Sequence, residues 1–349
     1  MNDQRLRVGV VGLGFAGRTA LEAFSELPDV EVVALAGLEK DILTSLGEKH
    51  GVPHLYEKWE DLLETEGLEA VSIGTPTQLH APIALKALEK GLHVLSEKPL
   101  ARTVAEGTAM VEASKAAGRV LKVVFNHRER GDVIALKHQI DEGQLGRIYY
   151  AKAHWMRRNG IPGMGGWFTN RELSGGGPLI DLGVHILEAA HYIIGAPRPV
   201  TATGATYCYI GDKPCQAVAP WGAWDHSTYS VEDLAVGTIR FENGTMLSIE
   251  SSFAAHIEKD VWNITIMGEK AGASWESATI FTDHGGYMMN MTAQHLGTWD
   301  HFEQKMKHFV EVCRDGRKNE SPGEHGLMVQ KMLDGVYASA EKGREVPIE

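Results

Sequence analysis

Arg7-Val-Gly-Val-Val11-Gly12-Leu13-Gly14-Phe15-Ala16-Gly17-Arg18 decides how the rest of the chain is read. Arg7 to Val11 is a short apolar run that reads as a strand, and Ala16 to Glu26 has helical spacing. Between them lies Gly-x-Gly-x-x-Gly, and each glycine answers a separate demand. Gly12 permits the tight turn, Gly14 lets backbone approach a pyrophosphate closely, and Gly17 allows the helix to pack on the strand. Phe15 and Ala16 lie where the helix N-terminus offers its free N–H groups to the anion. Arg5 and Arg7 before the apolar run mimic a secretory leader. Four glycines in ten residues, the closing Arg18 and Glu22, and the lack of a small-x-small cleavage site argue against one.

Working outward, the same alternation continues to residue 125. Strand-like Val30 to Ala36, Ala70 to Ile73, His93 to Ser96 and Lys122 to Phe125 alternate with helical Asp41 to His50, Pro82 to Lys90 and Val104 to Ala117. Strands of low polarity between amphipathic helices predict a doubly wound parallel sheet covered on both faces, a Rossmann domain over residues 1–125. Beyond it the rhythm changes. A helix (Asp132 to Asp141), a glycine-dense stretch (Gly160 to Gly177) and a helix (Pro178 to Ile194) precede alternating segments such as Leu234 to Phe241, Met246 to Phe253 and Asn263 to Met267. Turn signals such as Asn243-Gly244 separate them, and helices return at Phe302 to Cys313 and Gly326 to Lys342. The expectation for 126–349 is an α+β domain with a large, mainly antiparallel open sheet, its fold class overall being α/β plus α+β.

Composition sets the boundaries of this reading. The 349 residues suit roughly two domains at ~150 residues each. Basic residues number 34 and acidic residues 46, a net charge of −12 that argues against nucleic-acid or anionic-membrane partners. No apolar stretch reaches the ~18 residues of a membrane span. Cys208, Cys215 and Cys313 show no C-x-x-C spacing, so neither a disulfide framework nor a thiolate zinc site is expected, and a reducing, cytoplasmic setting fits.

Further motifs fall at strand ends. Gly37-Leu38-Glu39-Lys40 closes the second strand, where an acid about 20 residues past the glycines would hold the ribose hydroxyls. Glu39 there favours NAD, whereas Lys40 would face the 2′-phosphate of NADP, which stays open. Gly74-Thr75-Pro76-Thr77-Gln-Leu-His80 follows the third strand and Glu97-Lys98-Pro99 the fourth, at the edge where such sheets bind ligands. Together with Asn126-His127-Arg128, Gly175-Gly-Gly-Pro178-Leu-Ile-Asp181-x-x-x-His185, Val231-Glu232-Asp233, Asn243-Gly244 and Ser339-Ala-Glu-x-Gly-Arg344, these segments resemble, in order and spacing, the glucose–fructose oxidoreductase/inositol dehydrogenase/MocA family of NAD(P)-dependent sugar and cyclitol oxidoreductases. The resemblance covers nearly the whole chain. It departs at Gly37, where many members have an acid.

Asp181 and His185 lie four apart on an expected helix and share a face, with the preceding glycines allowing backbone and substrate to approach. Oxidising an alcohol carbon requires removal of the hydroxyl proton, a task for the His185 imidazole. An ammonium beside the same oxygen stabilises the developing alkoxide, the role given to Lys98. The resemblance makes Lys98, Asp181 and His185 the catalytic group, Asp181 binding a neighbouring hydroxyl, and implies a cis Lys98–Pro99 peptide. It assigns Gly12, Gly14, Phe15, Ala16, Gly17, Glu39, Lys40, Thr75, Pro76, Thr77, His80, Glu97, Lys98 and Asn126 to the cofactor. Arg128, Arg157 and Trp167 join Lys98, Asp181 and His185 toward substrate.

Arg158 and the loop Trp221 to His226 offer further donors and flat faces, or merely pack a loop, while Tyr207, Tyr209 and Tyr229 read as sheet packing. A metal site from Asp181, His185 and Glu188 is not adopted, since no further ligands are nominated. The leading expectation is oxidation of a ring hydroxyl of a sugar, cyclitol or glycoside to a ketone, or its reverse, in a homodimer or homotetramer. A redox-neutral NAD-dependent glycosidase working through transient C3 oxidation is the alternative, and a non-enzymatic dinucleotide sensor a third.

Overall fold

A computed structural model describes residues 5–163, 166–214, 220–296 and 301–349. Cys215, and two residues of the Gly160 to Gly177 stretch, lie outside the described residues. The chain divides into two compact units, Met1–Asn126 with Asp300–Gln330, and His127–Trp299 with Lys331–Glu349.

The first unit runs β1 (Leu6–Val11), α1 (Phe15–Glu26), β2 (Val30–Ala36), α2 (Lys40–His50), β3 (His54–Tyr56), α3 (Trp59–Leu62), β4 (Ala70–Ile73), α4 (His80–Glu89), β5 (His93–Ser96), α5 (Val104–Ala117) and β6 (Leu121–Val123). Its strands form a parallel sheet ordered β3-β2-β1-β4-β5-β6. Val8, Val10, Ala70, Val71, Val94 and Leu95 are all buried, as strands covered on both faces require. The strand order reverses between β1 and β4, which opens a crevice at the carboxyl ends of these strands. Gly12, Gly37, Gly74, Glu97 and Asn126 all follow such ends.

The second unit contains α6 (Gly131–Asp141), β7 (Ile148–Met156), α7 (Arg171–Ser174), α8 (Val184–Ile193), β8 (Pro199–Tyr207), β9 (Leu234–Phe241), β10 (Met246–Ser252), β11 (Val261–Gly268), β12 (Ala271–Ser274), β13 (Thr279–His284) and β14 (Tyr287–Thr292). Then follow α9 (His301–Asp315), α10 (Gly323–Lys342) and β15 (Val346–Pro347). The sheet order is β14-β13-β12-β11-β7-β10-β9-β8-β15, antiparallel except for the β7–β10 pair. Along the central strands Ala151, Ala153, Leu247, Ile249, Ile264 and Ile266 are buried, and α8 packs on β7. Most of their neighbours in sequence are polar, with Lys152 paired to Glu250 at 2.9 Å and Tyr150 hydrogen-bonded to Ser248 at 2.9 Å.

Two differences from the sequence reading matter for function. Residues 301–330, which the sequence reading places in the second domain, group with the first: Met306, Phe309 and Val310 of α9 complete a core with Leu21 and Phe24 of α1. The helix expected from Pro178 begins instead as a π-helical turn over Leu179–Gly183 before α8, a local widening often found at functional sites.

Candidate active site

At the carboxyl edge of the first sheet the three glycines are held for three different reasons. Gly12 has φ +85°, and a Cβ there would lie 2.6 Å from the Gly74 carbonyl oxygen. A Cβ on Gly17 would lie 1.7 Å from the Gly12 carbonyl oxygen, so α1 meets the turn with no room to spare. A Cβ on Gly14 would meet nothing within 4 Å. Gly14 caps α1 without a side-chain hydrogen bond, and no acidic residue sits in the first turn. The Thr75 hydroxyl is buried with no hydrogen-bond partner among the described residues. An open flank, an uncapped helix N-terminus and an orphaned hydroxyl at one sheet edge fit an anionic dinucleotide.

The loops beside this turn are tied together by His80. Its ring nitrogens lie 2.9 Å from the Pro99 carbonyl and 3.0 Å from the Thr75 carbonyl. Burial pushes its pKa down, against the pull of those two carbonyls. His80 and Thr77 are almost wholly buried, so both shape the loops from beneath. Lys98 follows β5 through a cis peptide to Pro99, its backbone N–H donating to the Glu97 carboxylate at 3.2 Å. Gly37 lies under Leu13, whose Cδ1 would be 2.8 Å from a Cβ at that position. A side chain at 37 would require Leu13 to shift, and with glycine there the exposed Glu39 is the first acid of this strand end. Lys40 is engaged instead with Glu57 at 2.8 Å.

In the second unit the Asp181 and His185 segment is anchored from behind. The Glu232 carboxylate accepts from the N–H groups of Gly177 (3.0 Å) and Leu179 (3.2 Å) and from the Tyr337 hydroxyl (2.7 Å). Burial raises the pKa of Glu232 against these three donors. Ser251 donates to the Pro178 carbonyl at 2.7 Å. Two of the glycines before the turn make room for this anchoring. A Cβ on Gly176 would lie 2.2 Å from the Tyr337 hydroxyl, and one on Gly177 would lie 2.5 Å from the Glu232 carbonyl oxygen.

The half-buried His185 ring packs edge-on to His127 at 5.4 Å and against Trp155 at 5.8 Å. His127 in turn abuts Trp275 (5.0 Å) and Trp262 (6.0 Å). Arg130, held by Asp132 through two hydrogen bonds of 3.0 and 2.6 Å, lies over both Trp262 and Trp275. This aromatic wall is absent from the sequence reading, because its members come from β7, β11 and the turn after β12. The register Trp155 opposite Trp262 brings two of them together. Arg157 stacks over Trp221 at 4.8 Å and donates to the Gly160 carbonyl at 3.1 Å. Burial lowers its pKa, and the negative charges of Asp181 and Asp260 oppose that shift. Arg157 is therefore within electrostatic reach of Asp181.

Arg128 is not available to a substrate in the way the sequence suggested. It is buried, donates to Glu188 of α8 at 2.6 Å and lies 4.4 Å over the Tyr192 ring. Such a pair is costly to break, about 3–5 kcal/mol, and it fixes α8 three residues after His185. Glu188 is consumed by the same contact. Trp167 stacks on Phe168 at 3.8 Å. Trp224 donates to the Gly211 carbonyl at 2.9 Å and packs with Ile161, Tyr229 and Phe253, so it braces a loop. Arg158 is engaged with Asp260 and the Glu258 carbonyl, each at 2.7 Å.

Comparison with known proteins agrees with this geometry. Residues 6–125 match the GFO_IDH_MocA oxidoreductase family with its NAD-binding Rossmann fold, and residues 133–274 match the GFO/IDH/MocA C-terminal domain. The chain is 35% identical over 350 residues to the D-glucoside 3-dehydrogenase of Escherichia coli (strain K12), covering 100% of this chain and 99% of that one. An aldose-aldose oxidoreductase from Caulobacter crescentus, solved with glycerol, superposes with a TM-score of 0.81 at 25% identity, over 99% of this chain and 100% of that one. A levoglucosan dehydrogenase solved with NADH and levoglucosan shares the fold, with a TM-score of 0.85 at 23% identity over 99% and 100% of the two chains. With both family domains present and a full-length relative at 35% identity, the chain belongs to the GFO/IDH/MocA family of NAD-binding oxidoreductases.

Proposed function

We propose that this protein oxidises one ring hydroxyl of a glucoside-like sugar to a ketone, with NAD as the preferred acceptor. The observation that carries this reading is the end-to-end similarity to a D-glucoside 3-dehydrogenase. In support, Lys98, Asp181 and His185 are all present, each on a backbone segment held in place within its own unit. The bound nicotinamide supplies the hydride acceptor. His185 takes the hydroxyl proton as the C–H bond breaks, the Lys98 ammonium stabilises the negative charge growing on that oxygen, and Asp181 holds a neighbouring hydroxyl. His185 rests against His127 and Trp155, with Trp262 and the buried Trp275 packed behind His127, which gives the base an aromatic flank. NAD is preferred because Glu39 stays exposed at the strand end while Lys40 is paired. A 2′-phosphate beside Glu39 meets like charge.

The test is a panel of pyranosides, free hexoses, inositols and linear polyols, each with NAD and with NADP, read by nicotinamide absorbance. Glucosides with NAD are expected to give the highest kcat/KM. A preference for inositols or for NADP would overturn, respectively, the substrate and the cofactor assignment.

The chain is proposed to act as a homodimer or homotetramer. Tyr287, Met289 and Met291 on one face of β14, and Met288 of β14 with Phe281 of β13 on the other, are exposed at the sheet edge, a liability unless covered. Light scattering at micromolar concentration is expected to show the oligomer, and a monomer would refute it. No helix of the described residues is long and apolar enough to cross a membrane. Cys208 and Cys313 are free thiols whose pKa burial raises, to about 11 and about 12, and cytoplasmic residence is proposed, where thiols stay reduced.

A further inference from the structure

Asn126, at the carboxyl edge of the parallel sheet, is gripped by a residue far along the chain. Lys305 of α9 is only 3% exposed, and its Nζ donates to the Asn126 side-chain oxygen at 2.6 Å. The same ammonium lies 4.1 Å from the centroid of Phe302, one turn earlier on α9. Phe302 in turn meets Phe15, the residue after Gly14, edge-to-face at 6.2 Å. The first two turns of α9 thus touch both the phosphate turn and Asn126, all within the first unit.

A lysine ammonium has donors and no acceptor, so it accepts no bond from the Asn126 amide nitrogen. Its contact therefore settles which way the carboxamide faces: oxygen toward Lys305, and the NH2 group, with two donors, away from it. Phe302 at van der Waals distance confines the ammonium and thereby the amide plane.

We propose that Lys305 is a positioning residue for the dinucleotide, locking Asn126 as a pure hydrogen-bond donor toward a carbonyl or phosphate oxygen of the bound cofactor. This rests on the assignment of Asn126 to the cofactor edge. Neutral asparagine without Lys305 is free to turn its oxygen outward, where it repels an acceptor. A carboxylate at 126 would keep the contact with Lys305 yet offer no donor at all.

The experiment titrates NADH into the purified full-length protein, following nicotinamide fluorescence, for Asn126→Ala, Asn126→Asp, Lys305→Met and Lys305→Arg, with melting curves in the absence of nucleotide. Asn126→Ala, Asn126→Asp and Lys305→Met are each expected to raise the Kd for NADH by about tenfold. Lys305→Arg, also donor-only, is expected to restore most of the affinity. Asn126→Asp is expected to melt no lower than Asn126→Ala, because its charge stays paired with Lys305. That variant keeps the test decisive should Lys305→Met fail to fold. If Lys305→Met or Asn126→Asp binds NADH like wild type while Asn126→Ala does not, the orienting role is overturned and the site assignment stands. If Asn126→Ala itself binds like wild type, the assignment of Asn126 to the cofactor edge falls, and the proposal with it.

Discussion

Replacing His185 with alanine is expected to lower kcat/KM for sugar oxidation by about 10²–10⁴-fold, the usual cost of losing a general base. Hydride departure leaves the substrate oxygen with a proton to lose. On the proposed reading His185, half-buried against His127 and Trp155, is the acceptor. Only the neutral imidazole accepts a proton, so wild-type kcat/KM should rise with pH as His185 loses its proton. In His185→Ala that rise should disappear. The Kd for NADH should be unchanged, because the phosphate turn belongs to the other unit. Lys98→Met should cost about 10²–10³-fold, and the double variant less than the product of the two, since both act on one developing charge. An unaltered pH profile with near-wild-type turnover in His185→Ala would remove His185 from the role of base.

A contrast between two glycines carries the second large effect. Gly17→Ala places a methyl 1.7 Å from the Gly12 carbonyl oxygen, against backbone that has no room to yield. It should destabilise the protein without any nucleotide present, by at least the ~1–3 kcal/mol of ordinary overpacking. Gly14→Ala adds a methyl that meets nothing within 4 Å, at φ −71° where alanine is unstrained. Its melting temperature should match wild type while NADH binding weakens by about tenfold or more, since the methyl takes the space an approaching phosphate needs. Melting curves and NADH titrations on the two variants check this. Unimpaired binding by Gly14→Ala would mean that no phosphate passes that flank.

What the sequence discloses and what it hides follow from the range of the interactions concerned. Gly12 to Gly17 and the strands β1, β2, β4, β5 and β6 are local patterns, in which neighbouring residues within one turn or one strand carry the signal, and these are legible. So is the succession of Lys98, Asp181 and His185, through its resemblance to a family. Burial is another matter. Arg128 has a donor's chemistry wherever it sits, and nothing local announces that Glu188, 60 residues on, neutralises it. The three tryptophans around His127 depend on strand register, which alternation alone does not fix.

Edge elements escape for the opposite reason. His54–Tyr56 is only three residues long, and Tyr287–Thr292 is exposed throughout, so neither has a buried face to leave a periodic trace. The membership of α9 in the first unit, and with it the contact of Lys305 with Asn126, spans 179 residues. Sequence rhythm has no means of expressing it. The π-helical turn at Leu179–Gly183 is held at its start by Glu232 and Ser251, contacts that are again long-range.

The central claim, that the protein performs net dehydrogenation of a sugar hydroxyl, is tested most directly by stoichiometry. An alkyl glucoside is mixed with excess NAD, and NADH, keto-glycoside and free glucose are measured in the same sample over time. One NADH should appear for each keto-glycoside formed, with the glycosidic bond intact and no free glucose. Release of glucose without net NADH would contradict the claim and would mark the protein as a redox-neutral glycosidase.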